Sequence, residues 1–198
     1  MSTKTVLFVD DDPFSRDIAQ RAIGRLDCQY LFFQTICEVF DNIDMIEPKL
    51  VVLDLGMTGL DGVYDSQAGI EINLALRCQY RNRFPILILT GTDDPEIICK
   101  CLRSGADDYY SKSHDMTGLV KRIAAWLVVD YSAGHPQRKR EATADQIEKH
   151  AATHGIVTAK DWRQVAMAQT SRNPAAEPTV PPAQRPLGDL FAWQPDSR

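Results

Sequence analysis

The sequence predicts an α/β domain over residues 1–132, built as a doubly wound, five-stranded parallel sheet of (βα)5 topology. Two periodic features support this prediction. Short, nearly continuous apolar runs recur five times, and segments with apolar residues at helical spacing separate them. Continuous apolar runs are typical of strands buried on both faces, as in a parallel sheet that is covered by helices on each side.

The predicted elements alternate regularly along the chain. Strands are expected at residues 5–9, 30–33, 50–53, 86–89 and 108–111, of which the last is the weakest apolar run. The helices between and after them include segments 95–104 and 115–129. Pro13 and Pro95 stand near helix starts and Gly105 follows a helix end, which are the positions these residue types prefer.

The overall composition narrows the class of protein. The chain has 198 residues, 44% hydrophobic and 25% charged, which is typical of a globular protein. Its net charge of −5 argues against a protein that coats nucleic acid or an anionic membrane, because such proteins carry clustered Lys and Arg. No apolar run reaches the roughly 20 residues of a membrane span, and no signal peptide is evident. We therefore expect a cytoplasmic protein without membrane contacts.

The chain after residue 132 differs in character. Residues 1–132 contain 20 acidic and 13 basic residues, a net of −7, whereas the remaining 7 acidic and 9 basic residues give a net of +2. We predict a short helical extension at 133–172, with one helix capped at Thr143 and a second opening at Thr158. Six of the 11 prolines lie between Pro174 and Pro195, so residues 173–198 are predicted to be a disordered tail.

Charged or hydroxyl side chains follow four of the predicted strands. They are Asp10, Asp11 and Asp12 after the first strand, Asp54 after the third, Thr90 after the fourth and Lys112 after the fifth. Ligands of doubly wound sheets bind at this edge. Clustered carboxylates need a cation, and their hard oxygen atoms suit Mg²⁺. A carboxylate that binds the metal through one oxygen keeps the other as a nucleophile, while a hydroxyl and an ammonium can hold phosphoryl oxygens. The edge therefore predicts a phosphoryl-acceptor site.

Four motifs stand in order at these strand ends: Val9-Asp10-Asp11-Asp12-Pro13, Leu53-Asp54-Leu55-Gly56-Met57, Leu89-Thr90-Gly91 and Gly105-Ala106-Asp107-Asp108-Tyr109-Tyr110-Ser111-Lys112. Together they resemble the receiver domains of two-component response regulators, over about residues 4–130. The resemblance implies a flavodoxin-like fold. It also implies a bacterial phosphorelay protein that receives a phosphoryl group from a histidine kinase or phosphotransfer protein.

The resemblance also implies a role for each site residue. Asp54 would accept the phosphoryl group, and Mg²⁺ would be held by Asp10, Asp11, Asp54 and the backbone carbonyl of Gly56. Thr90 and Lys112 would bind the phosphoryl oxygens. Tyr109 matches the aromatic residue that changes rotamer on activation, and we expect it to turn inward when Asp54 is phosphorylated.

The sequence departs from the family pattern near the site. Ser113 and Thr58 stand where proline is common. The span from Asp54 to Thr90 is about six residues longer than usual, with the excess at residues 63–68. This insertion lies beside the site, where it could gate access or contact a partner.

The favoured function is a non-enzymatic signalling module that catalyses only its own phosphorylation and dephosphorylation. Its output would pass through protein contacts or self-association on the face formed by residues 95–129. The alternative is a DNA-binding transcriptional regulator that uses residues 143–170. That alternative is disfavoured because a third helix is missing and the tail carries little positive charge. A haloacid dehalogenase type of phosphatase is disfavoured because it needs Asp where this chain has Gly56.

Overall fold

The computed structural model describes residues 4–131 and 136–154. It confirms the predicted α/β fold, with five parallel strands in the order β2-β1-β3-β6-β7. These strands are β1 (Thr5–Val9), β2 (Gln29–Phe33), β3 (Leu50–Asp54), β6 (Ile86–Thr90) and β7 (Asp108–Ser111). A separate antiparallel hairpin is formed by β4 (Met57–Thr58) and β5 (Tyr64–Asp65).

The helices cover both faces of the sheet. They are α1 (Pro13–Ile23), α2 (Ile36–Ile46), α3 (Ala68–Tyr80), α4 (Pro95–Arg103), α5 (Met116–Val128) and α6 (Pro136–His154). Side chains cap several of their first turns, since backbone N–H groups there have no partner within the helix. Asp12 accepts from the backbone of Phe14 at 3.0 Å, as its place before α1 predicts. None of the helices within the described residues is both long enough and apolar enough to cross a membrane.

The apolar runs are continuous because the central strands bury both of their faces. Leu7 and Val9 of β1 pack in one layer with α2, α3 and α4. Val6 and Phe8 of the same strand pack in the opposite layer with α1 and α5. Successive side chains of a strand point to opposite faces, so two covered faces require apolar residues at every position.

Strand β2 does not follow the prediction of burial on both faces. It lies at the edge of the sheet, beside β1 alone. Its residues are only partly buried, and Leu31 is 41% exposed. An edge strand has a neighbour on one side only, so an apolar run alone did not distinguish it from the central strands.

Helix α6 differs from the predicted extension. It begins at Pro136 rather than after Thr143, and Thr143 lies inside it, donating from Oγ1 to the Lys139 carbonyl oxygen at 2.8 Å. The predicted capping box is therefore wrong, because the same Ser/Thr-x-x-Gln/Glu spacing also fits an exposed helix interior. The second predicted helix and the Pro-rich segment 173–198 lie outside the described residues.

Helix α6 packs on α4 and joins the core. Ala144 and Ile147 are buried in the layer that contains α4, and the Cys99 thiol donates to the Ala144 carbonyl oxygen at 3.5 Å. Part of the face at residues 95–129, predicted as an output surface, is therefore covered by the chain's own helix.

A buried charge cluster holds α6 at the amino end of β7. The Asp107 carboxylate accepts from Arg140 Nε of α6 at 2.8 Å and from Arg77 Nη2 of α3 at 2.6 Å. The Tyr131 hydroxyl also donates to Asp107, at 2.9 Å. The side chains of Asp107, Arg77 and Arg140 are at most 8% exposed. A charge that is this deeply buried must be paired, so α6 and the end of α5 are fixed to the sheet.

Replacing Arg140 by Ala should lower the free energy of unfolding by about 2 kcal/mol, because hydrogen bonds to a buried carboxylate are lost. Chemical denaturation followed by circular dichroism measures the change. Arg103→Ala is the matched control, since Arg103 pairs α4 with Glu148 of α6 but is 48% exposed. It should change stability by less than about 0.5 kcal/mol. Equal effects of the two substitutions would contradict the role assigned to Asp107.

Candidate functional site

The carboxyl edge of the sheet brings four predicted site residues together. In the strand register Val9 pairs with Leu53, so Asp10 and Asp54 follow as neighbours on β1 and β3. Thr90 pairs with Ser111, which places Lys112 directly after β7. Asp10, Asp54 and Thr90 are all at most 7% exposed. The sheet topology thus collects side chains that are up to 102 residues apart in the chain.

The Lys112 ammonium bridges the two buried carboxylates. Its Nζ lies 2.8 Å from Asp10 Oδ2 and 3.1 Å from Asp54 Oδ2. It also donates to Ser15 Oγ on α1 at 3.3 Å, a contact that the sequence did not predict. The Lys112 backbone N–H donates to the Thr90 carbonyl oxygen at 2.6 Å, which fixes the start of the loop after β7. One cation therefore serves two acids that would otherwise repel each other.

The electrostatics of the site follow from burial. Burial raises the pKa of Asp54 to about 6, and the nearby Asp10 charge adds to this, while Lys112 opposes it. Burial alone would lower the pKa of Lys112, but the two carboxylates outweigh that effect and raise the pKa above its usual value. Lys112 stays charged at neutral pH, and Asp54 is mainly a carboxylate.

Asp11 binds the hairpin. Its Oδ2 accepts from the backbone N–H of Thr58 at 2.9 Å and from the Thr58 hydroxyl at 3.0 Å. Proline at position 58 would supply neither donor. The sequence shows Thr58 where the family commonly has Pro, but the sequence alone does not reveal that Thr58 binds Asp11. The available clue in the sequence was that Thr has a backbone N–H and a hydroxyl donor that Pro lacks, at a position near the acidic cluster.

Tyr109 is already buried in this structure. Its side chain is 6% exposed, and its hydroxyl donates to Asp93 Oδ1 at 3.2 Å. The Ser113 hydroxyl donates to the other oxygen of Asp93 at 3.5 Å. We expected Tyr109 to turn from an exposed to a buried position on phosphorylation, but in this structure its side chain is already buried. Asp93, which follows β6 in the loop before α4, was not singled out from the sequence.

The chemistry of the donor set fits a hard divalent cation. Asp10, Asp11 and Asp54 provide carboxylate oxygens at one edge, and the Gly56 carbonyl lies two residues beyond Asp54. Among residues 4–131 and 139–149, whose side chains the structure describes, no three acidic, histidine or cysteine side chains are grouped as metal ligands. Lys112 instead contacts Asp10 and Asp54, and Thr58 binds Asp11. A metal would replace these contacts with its own.

Comparison with known proteins places the chain in a family. A family profile described as the response regulator receiver domain matches residues 6–124, which is more than half of the chain. The chain belongs to the response regulator receiver family. The fold is the one that the sequence resemblance implied.

Named relatives of this receiver domain include transcriptional regulators. CseB of Streptomyces coelicolor is 30% identical over 156 residues, which are 79% of this chain and 60% of CseB. FixJ of Bradyrhizobium diazoefficiens is 28% identical over 154 residues, 77% of this chain and 69% of FixJ. The chain thus spans only part of the length of these relatives. A LuxR-family response regulator from Aurantimonas sp. SI85-9A1 superposes with a TM-score of 0.53 at 29% identity, covering 64% of this chain and 86% of that one.

Replacing Thr58 by Val should destabilise the protein by about 1 kcal/mol, because the hydroxyl donor to Asp11 is lost and the backbone donor remains. Thr58→Ser keeps the hydroxyl and is the control. Urea denaturation of both variants measures the difference. A Val variant that is as stable as the Ser variant would show that the hydroxyl does not hold Asp11.

Proposed function

We propose that this receiver is a response regulator of a bacterial two-component phosphorelay, and that Asp54 accepts the phosphoryl group. The donor is the phosphohistidine of a histidine kinase or phosphotransfer protein. The observation that carries the proposal is the pairing of buried Asp54 with Asp10 through the Lys112 ammonium, beside Thr90. A lysine already placed against the acceptor carboxylate is positioned to bind an incoming phosphoryl oxygen.

The site residues have different roles in the phosphoryl transfer. Asp10, Asp11, Asp54 and the Gly56 carbonyl would hold Mg²⁺, which supplies positive charge to offset that of the phosphoryl group. A carboxylate oxygen of Asp54 forms the new bond to phosphorus as the P–N bond of the donor breaks, and the electron pair of that bond goes to the imidazole nitrogen. Lys112 moves from the carboxylates to a phosphoryl oxygen, and the Thr90 hydroxyl donates to another.

The output is proposed to pass through protein contacts. Since α6 lies on α4, a partner for the face at residues 95–129 has to bind beside α6, on α5, or displace α6. The names of CseB and FixJ favour DNA binding by residues 143–170 as a second candidate. Against it, Ala144 and Ile147 are buried within the core and are not available to a DNA duplex.

Radiolabelled acetyl phosphate with Mg²⁺ should label the protein with one phosphoryl group that hydroxylamine removes, as expected of an acyl phosphate. Asp54→Asn should abolish the label, and Asp11→Ala should reduce its rate at least about tenfold because the metal is lost. Asp12→Ala is the control, since Asp12 is exposed and caps α1. It should keep the label. Full labelling of Asp54→Asn would contradict the assignment of the acceptor.

Lys112→Met should lower the Tm, because two buried carboxylates then face each other without a cation. Millimolar Mg²⁺ should raise the Tm of this variant by more than it raises that of the wild type, since the metal takes over the lost charge. Differential scanning calorimetry with and without Mg²⁺ measures both shifts. Lys100→Met removes an exposed partner of Glu96 and should show the wild-type response to Mg²⁺. Equal Mg²⁺ shifts in all three proteins would argue against a metal at these carboxylates.

A further inference from the structure

The extra residues between Asp54 and Thr90 form a hairpin that is fixed to the site. In β4 and β5, Thr58 pairs directly with Tyr64, and the Gly59 N–H donates to the Val63 carbonyl oxygen at 2.9 Å. Thr58 is also tied to Asp11 by its two hydrogen bonds. The hairpin therefore cannot move far without breaking contacts to the acidic edge.

The pairing directs Tyr64 toward the site. Residues directly opposite each other in an antiparallel pair place their side chains on the same face. The Thr58 side chain points to Asp11, so Tyr64 shares the face that looks onto the acidic edge. Tyr64 as a whole is 64% exposed, so it borders solvent, while its hydroxyl lies against Gly56.

Tyr64 fills the space that a side chain at position 56 would occupy. Gly56 follows Asp54 by two residues and has no side chain, and a Cβ placed on it would lie 2.9 Å from the Tyr64 hydroxyl oxygen. A residue from the insertion thus provides the wall that residue 56 lacks.

We propose that Tyr64 is a positioning residue that shields the phosphorylated Asp54 from water and so prolongs the lifetime of the acyl phosphate. This inference rests on the proposed function of Asp54. In the reaction that is slowed, the oxygen of a water molecule bonds to phosphorus and the bond between phosphorus and the Asp54 oxygen breaks. Its electron pair returns to the carboxylate, and the water protons leave with inorganic phosphate and solvent. The ring acts by occupying the approach on the side of Gly56.

The experiment measures the loss of label after free donor is removed. The full-length protein is labelled with radioactive acetyl phosphate and Mg²⁺, desalted, and followed over time. Tyr64→Ala should lose the label at least about fivefold faster than the wild type, because the approach is opened. Tyr64→Phe keeps the ring and should stay within about twofold.

Two further variants separate shielding from a general effect on the hairpin. Val63→Ala alters an exposed neighbour, 62% accessible, and should leave the lifetime unchanged. Gly56→Gln in the Tyr64→Ala background puts a side chain back into the same space and should slow the loss of label again. If Tyr64 only stabilised the hairpin, a side chain at position 56 would not restore the lifetime of the label.

The outcomes are distinguishable. A labelled wild type with an unchanged lifetime in Tyr64→Ala would overturn the role of Tyr64 and leave the proposed function intact. A Tyr64→Phe variant as fast as Tyr64→Ala would also overturn it, because the hydroxyl rather than the ring would then control the lifetime. A wild type that takes up no label would overturn the proposed function, and the role of Tyr64 with it.

Discussion

The single ammonium group of Lys112 makes the site possible. Asp10 and Asp54 are both buried at the end of adjacent strands, where two carboxylates without a counter-charge would be strongly unfavourable. Lys112 comes from β7, two strands away from β3 across the sheet, and reaches both acids. The site therefore forms only when β1, β3, β6 and β7 have all been assembled in register. Its chemistry depends on the completed sheet rather than on any one segment.

A second buried charge cluster stands at the opposite end of the same strand. Asp107 begins the turn into β7 and is paired with guanidinium groups from α3 and α6, while Lys112 follows the strand at its other end. Strand β7 is thus anchored by ion pairs at both ends. Since one of the anchors belongs to α6, a partner that displaces α6 would disturb the strand that carries Lys112. The face at residues 95–129 and the contacts of Lys112 therefore share one structural element.

The β4–β5 hairpin borders the acidic edge of the sheet. Thr58 supplies two donors to Asp11, and the hydroxyl of Tyr64, paired opposite Thr58, lies where a side chain at position 56 would be. Asp54, Lys112 and Thr90 all lie at the carboxyl edge of the sheet. The insertion instead changes what surrounds them, which affects access by solvent and by other proteins.

The sequence by itself determined the five strands of the parallel sheet, the helices α1 to α5 that cover them, and the acidic, hydroxyl and ammonium groups at the strand ends. These features are local. The apolar runs of β1 and β3 indicate strands that are buried on both faces, and the polar residue that ends or follows each run lies at the carboxyl edge of the sheet. It did not determine the exposure of β2, the start of α6, the burial of Tyr109, or the contact of Thr58 with Asp11. Each of these depends on which segments become neighbours, as when Arg140 reaches Asp107 or Thr58 reaches an acid 47 residues earlier. Only the tertiary structure decided them, because the energy of such a contact depends on both partners and on their joint removal from water, which no local pattern records.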